Sequence, residues 1–289
     1  MSPGSEGERR PSGARETLEL VGLVVAPATL LGALLYYFGW ARSRAQAGYF
    51  GIDADILGRS TQEYALRSID SIFWPLVFIL VGFLAASAVH AATRRWITNG
   101  NPPSPRLLAV IPAAFGFSLL VFAGTAVLWR PLLGNGAIRT PVAFALGVPM
   151  VAYALLLVAS RGTSGLRPVP RGPLLIVVGL VVVFLFWAVG DYADARGREL
   201  ARRTATNLGG LPSVTVYSPQ RLHLEGPGIE ETRLAGSDSA YRYRYSGLKL
   251  LSRAGTNYFL LPVGWTRTKG VTIVLPATNA VRLDFAPGR

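Results

Sequence analysis

The chain has no cysteine, two lysines and two histidines, and not one acidic residue between Asp70 and Asp191. Each shortage excludes something. Without cysteine there is no disulfide, thiol nucleophile, thiolate metal site or iron–sulfur cluster. The compartment stays open, because a cysteine-free domain works on either side of a membrane. With only His90 and His223, there is little room for a Ser-His-Asp arrangement. The acid-free interval is the most informative. It holds eight Arg and no Lys, whereas a soluble domain of that size scatters acids over its surface. Charged residues are 16% of the chain, against about 25% in ordinary soluble domains. These shortages predict a multi-pass membrane protein.

What fills the interval is apolar. A helix needs about 20 apolar residues to cross the hydrocarbon core, and five runs qualify: Leu20–Trp40, Ile72–Ala92, Leu107–Trp129, Pro141–Ser160 and Pro173–Gly190. Aromatics mark several ends, among them Tyr36, Tyr37, Phe38, Trp40, Phe73, Trp74, Trp129 and Trp187. Tyr and Trp favour the membrane interface. Basic residues follow: Arg42 and Arg44, Arg94 and Arg95, Arg130, Arg161. The first run is too long for a signal-peptide core and reads as an uncleaved helix. No Asp, Glu, Lys or Arg lies within the five runs, which weighs against an ion or proton pathway. His90, four residues before Arg94, reads as interfacial. Gly116 and Gly124 suit close helix packing.

The net charge of +13 is unevenly spread. Residues 1–70 carry seven Arg against eight acids, 71–190 eight Arg against none, and 191–289 fourteen basic against eight acidic residues. Much of the excess lies in short loops, where Arg orients helices and meets anionic headgroups. The expected partner is the lipid bilayer, with another envelope protein or self-association as further possibilities and no nucleic acid. Loops 93–106 and 160–172 are short, Arg-rich and acid-free. They predict a cytoplasmic N-terminus and an extracytoplasmic C-terminal domain in the cell (plasma) membrane.

The expected division is a polar tail at 1–17, a five-helix region at 18–190 with a structured loop at 41–71, and a small α+β or β-rich domain at 191–289. That last part begins with a predicted helix at 192–208, stopped by Gly209, Gly210 and Pro212. Strand-like runs follow at 213–218, 221–226, 241–253, 257–265, 271–276 and 280–285, with a hairpin turn at Ala254-Gly255-Thr256-Asn257. Gly226-Pro227-Gly228 and Glu230-Glu231 read as a loop. Tyr241, Tyr243 and Tyr245 alternate with Arg242 and Arg244. On a strand this puts three tyrosines on one face and two arginines on the other. The pattern is either an aromatic–basic platform or a half-buried strand with a packed Tyr face. His223, flanked by Leu222 and Leu224, faces outward. The domain has no Gly-x-Ser-x-Gly elbow, phosphate loop, His-Glu-x-x-His or dinucleotide fingerprint.

Two stretches, YFGIDADILGRSTQEYALRSID at 49–70 and YRYSGLKLLSRAGTNYFLLPVGW at 243–265, resemble multi-pass membrane proteins of high-GC actinobacteria. Those proteins pair such a loop with a small C-terminal domain. The resemblance implies architecture and origin, and carries over no catalytic residue or cofactor.

The first of these stretches holds the one suggestive carboxylate pair, Asp53 and Asp55. An Asp-x-Asp spacing can hold a divalent cation, but such sites need further oxygen ligands and the loop offers only Glu63 and Asp70. Ser60-Thr61-Gln62-Glu63 fits a capping box, and Arg67 and Asp70 are spaced to pair. Tyr49, Phe50 and Tyr64 join the tyrosine–arginine strand as candidate interaction residues. Three functional readings stand. The first is a non-catalytic binding, sensing or scaffolding protein whose loop and C-terminal domain form one surface. The second is a membrane-embedded enzyme acting on a lipid or glycan through Asp53 and Asp55 with a cation. The third is a pore or transporter subunit. The first requires the fewest residues the sequence does not supply.

Overall fold

The computed structural model describes residues 12–98, 105–128, 138–159, 170–235 and 240–288. Among the described residues five long helices come first: α1 (Ser12–Tyr49), α2 (Thr61–Thr98), α3 (Pro105–Leu128), α4 (Arg139–Ala159) and α5 (Arg171–Thr206). Among the described residues, four segments are long and apolar enough to cross a membrane: Thr61–Trp96, Leu108–Leu128, Arg139–Ala159 and Arg171–Thr206. Their outward side chains, such as Phe78, Phe83, Leu84, Leu175 and Ile176, are exposed on the isolated chain, as lipid-facing residues must be. The protein is therefore a membrane protein, on four spans where the sequence predicts five. The remaining run, Leu20–Trp40, falls in α1, and the side chains of its first residues lie outside the described set. So do Trp129, Arg130, Arg161, most of the two Arg-rich loops, and residues 1–11 of the polar tail.

α1 packs against α2 and α5, α5 also meets α4, and α4 pairs with α3. Small residues set the closest crossings. A Cβ on Gly39 would overlap the Tyr64 carbonyl of α2, and one on Gly197 would overlap the Arg42 carbonyl of α1. Gly116 and Gly147 face each other between α3 and α4, where a Cβ on Gly116 would sit 2.9 Å from Met150 Cβ. Gly124, by contrast, approaches nothing within 4 Å.

α1, α2 and α5 are longer than a bilayer requires. At 1.5 Å per residue, a helix of their 36 to 38 residues is about 55 Å long, against a hydrocarbon core of about 30 Å. The surplus, at 41–49, 61–70 and 191–206, forms a three-helix stalk. α5 runs through residue 190, so the helix expected at 192–208 is continuous with the last apolar run and ends at Thr206. Its inward stripe is small (Ala193, Gly197 and Ala201, all buried), which lets α1 approach.

Past a short turn at Leu208–Gly210 the chain folds into an antiparallel sheet: β1 (Ser213–Ser218), β2 (Glu230–Arg233), β3 (Tyr243–Ala254), β4 (Asn257–Pro262), β5 (Ile273–Pro276) and β6 (Arg282–Ala286). The order is β5-β4-β3-β1-β6, with β2 also pairing β3. The predicted hairpin closes at Ala254 and Asn257 with Gly255 at positive φ, the left-handed conformation tight hairpins require. Two expectations fail. Residues 221–226 form no strand, because His223 takes φ of 49° and breaks extended geometry. Glu230–Arg233, expected to be a loop, is a fully exposed strand whose lack of apolar residues hid it.

The sheet curls strongly. Tyr258 on β4 and Phe285 on β6, with two strands between them, bring their rings to 6.0 Å. Its concave face encloses Val214, Val216, Tyr245, Leu248, Leu260 and Leu275, covered by Leu222, Leu224 and Ile229. β4 is buried on four consecutive residues because its other face is also covered, as in strands packed on both sides.

Candidate functional site

The cover on that second face is the first loop. Phe50, Ile52 and Leu57, with Ala47 of α1 and Ala201 of α5, share one apolar cluster with Ala254, Phe259, Leu261 and Trp265. Phe50 and Trp265 lie 5.1 Å apart, ring to ring. The Thr272 hydroxyl donates to the Phe50 carbonyl at 2.7 Å, and the Arg267 guanidinium lies 5.0 Å over the Tyr49 ring. Stretch 49–58 is therefore the seam between membrane region and sheet.

Asp53 and Asp55 stand at the rim of this seam. Both are exposed, and Asp53 Oδ1 accepts from the Asp55 backbone N–H at 3.1 Å, an Asx turn that leads into the short helical turn Asp55–Leu57. The pair shapes the loop so that Leu57 points inward. No group of three or more His, Cys, Asp or Glu that could hold a metal ion gathers among the described residues. Ser60 caps α2, its hydroxyl accepting from the Glu63 backbone N–H at 3.2 Å.

Below the seam an ionic clamp ties the stalk. Asp70 pairs with Arg42 at 3.5 Å and Arg196 at 3.3 Å, joining α1, α2 and α5, rather than with Arg67 on its own helix. Arg42 reaches past Asp70 to donate to the Arg67 carbonyl. Arg59 and Arg67 line a small cavity of about 80 Å³ beside Phe50 and Leu251. Burial, then the charge of Arg67, lowers the Arg59 pKa from its ordinary value.

The candidate interaction residues divide. Tyr64 and Phe50 are buried, with Tyr64 edge-on to Tyr36 at 5.5 Å. Tyr245 is wholly buried, and its hydroxyl accepts from the Leu222 N–H at 2.8 Å; burial raises its pKa. These three are structural and present no surface. Tyr241 and Tyr243 are half-buried, while Arg242 and Arg244 are exposed. The alternation thus places a packed Tyr face against a solvated Arg face. His223 is exposed between half-buried leucines, as expected, although the segment is no strand. His90 lies edge-on to Tyr153 of α4 at 5.8 Å, a neighbour the sequence does not announce.

Sequence reasoning also misses a groove of about 780 Å³ between α1 and α5. Tyr37 and Phe186 stack at 4.9 Å at one end. At the other, Asp194 and Arg198 form an ion pair one helical turn apart. Comparison with protein-family models, with curated proteins and with solved structures finds no match to this chain.

Proposed function

We propose that this protein is a non-catalytic binding, sensing or scaffolding protein of the cell membrane. In this reading five helices cross the bilayer, the N-terminus is cytoplasmic, and the stalk holds the sheet outside as a platform for another envelope protein or a second copy. The observation that carries the reading is the apolar seam. Phe50, Ile52 and Leu57 are sequestered with Phe259, Leu261 and Trp265, so loop and sheet move as one body instead of forming the mouth of a catalytic cleft. Asp53 supports it as well, because one of its carboxylate oxygens already serves the turn.

Two measurements test this. A reporter fused after residue 288 is active in the periplasmic or outer compartment; activity of a cytoplasmic reporter there overturns the orientation. Thermal unfolding of the full-length protein in detergent is unchanged by Mg²⁺, Mn²⁺ or Ca²⁺. A cation-dependent rise in Tm that disappears in the Asp53→Ala, Asp55→Ala double variant overturns the non-catalytic reading.

A further inference from the structure

The groove between α1 and α5 changes character along its length. α1 and α5 both run toward the sheet, so position along either helix measures height above the membrane. On the apolar side the walls are Tyr37, Trp40, Phe186 and Trp187, at the ends of the apolar runs, where aromatic rings sit among lipid headgroups. One to three turns further out the lining becomes Arg44, Asp191, Asp194 and Arg198, with Arg267 reaching in from the sheet domain. A groove that is aromatic at headgroup depth and charged just above it matches an amphiphile entering from the bilayer, chains inward and headgroup outward.

The charges select among amphiphiles. Asp194 is paired with Arg198, and with Asp191 also on the wall the lining carries three arginines against two carboxylates. Arg44 lies 5.1 Å over the Trp40 ring and Arg267 lies 5.0 Å over the Tyr49 ring. Such stacking engages the flat face of a guanidinium and leaves its in-plane N–H donors free, the edge that binds phosphate. Both arginines are exposed. Gly48 lies between them on the wall, and a Cβ there would meet nothing within 4 Å, so the groove is open at that level.

We infer that this groove is a binding site for an anionic glycerophospholipid, its phosphate held by Arg44 and Arg267 and its glycerol and upper chains against Tyr37, Trp40 and Phe186. The inference deepens the binding reading above by naming a ligand class, and it rests on the membrane placement of α1 and α5. If it fails, the loop–sheet platform still stands, because its core of Phe50, Ile52, Leu57, Phe259, Leu261 and Trp265 lies outside the groove and only the Arg267–Tyr49 contact is shared.

The test uses full-length protein, delipidated in detergent, with phosphatidylglycerol, phosphatidylcholine, diacylglycerol or inorganic phosphate added. Lipid retention is read by native mass spectrometry and stability by Tm. Phosphatidylglycerol should be retained and raise Tm, while diacylglycerol and inorganic phosphate should do neither. The Arg44→Gln, Arg267→Gln double variant should lose about tenfold in apparent affinity for phosphatidylglycerol, as expected for removing charge-assisted hydrogen bonds. Gly48→Leu, which fills open space, should fold and lose the lipid, and Arg244→Gln on β3 should bind as the parent does. Equal retention of phosphatidylcholine, or selectivity unchanged in the double arginine variant, overturns the site. A Tm rise with inorganic phosphate alone that matches the lipid assigns the arginines to a free anion and also overturns it. Lipid-independent dimers abolished by Gly48→Leu would give the groove to a second copy instead.

Discussion

The helical region contains two different constructions. α3 and α4, with 24 and 21 residues, are close to the length a bilayer demands and meet through a glycine crossing at Gly116 and Gly147. α1, α2 and α5 are half as long again and carry ionic partners beyond the apolar runs: Arg42, Asp70, Arg196, Asp194 and Arg198. Both groups use glycine to bring backbones together. Only the second converts that approach into a projecting support, because its outer half is polar enough to stand in water yet small enough inside to close. The α3–α4 pair anchors; the trio positions.

The largest effect expected is on the joint between trio and sheet. Trp265→Ala removes the ring that Phe50 and Tyr49 pack against and should cost about 3–5 kcal/mol locally. The sheet should then be released by limited proteolysis near residues 207–212 while the membrane helices remain intact. A smaller effect separates the two glycine crossings. Gly197→Ala drives a methyl into the Arg42 carbonyl and should destabilise by roughly 1–3 kcal/mol, lowering Tm and sensitising the stalk to protease. Gly116→Ala should lower Tm too but leave the sheet's protease pattern unchanged. If both variants expose the sheet equally, the division between anchor and support is wrong. The smallest effect belongs to Asp70→Asn. Its carboxylate is 47% exposed, so losing two screened pairs should cost about 1 kcal/mol or less, visible as a Tm difference that shrinks in high salt.

Much of this was legible residue by residue. The apolar runs, the Ser60 cap, the strand at 213–218 and the hairpin at Gly255 all depend on local signals. So does the apolar character of Tyr49-Phe50-Gly51-Ile52, which suggested a docking segment. Three things were not legible. Glu230–Arg233 is a strand because β3 offers it an edge, not because its side chains prefer one. α5 passes the compositional break at Gly190 because helical hydrogen bonding is indifferent to the change from lipid to water, provided the buried stripe stays small. The choice by Asp70 of Arg42 and Arg196 over Arg67 was set by helices 28 and 126 positions away. The α1–α5 groove is of the same kind, for it exists only once two distant helices run parallel.

The bond from Thr272 to Phe50 links residues 222 positions apart. At about 5–20 residues per second of synthesis, the loop therefore waits roughly 10–45 seconds for its partner to be made. Through that interval Phe50, Ile52 and Leu57 have no sheet to enter, and the nearest apolar refuge is the bilayer surface beside them. A ribosome that stops before Trp265 leaves a chain whose helices can insert but whose seam never closes, so closure of the seam marks synthesis past Thr272.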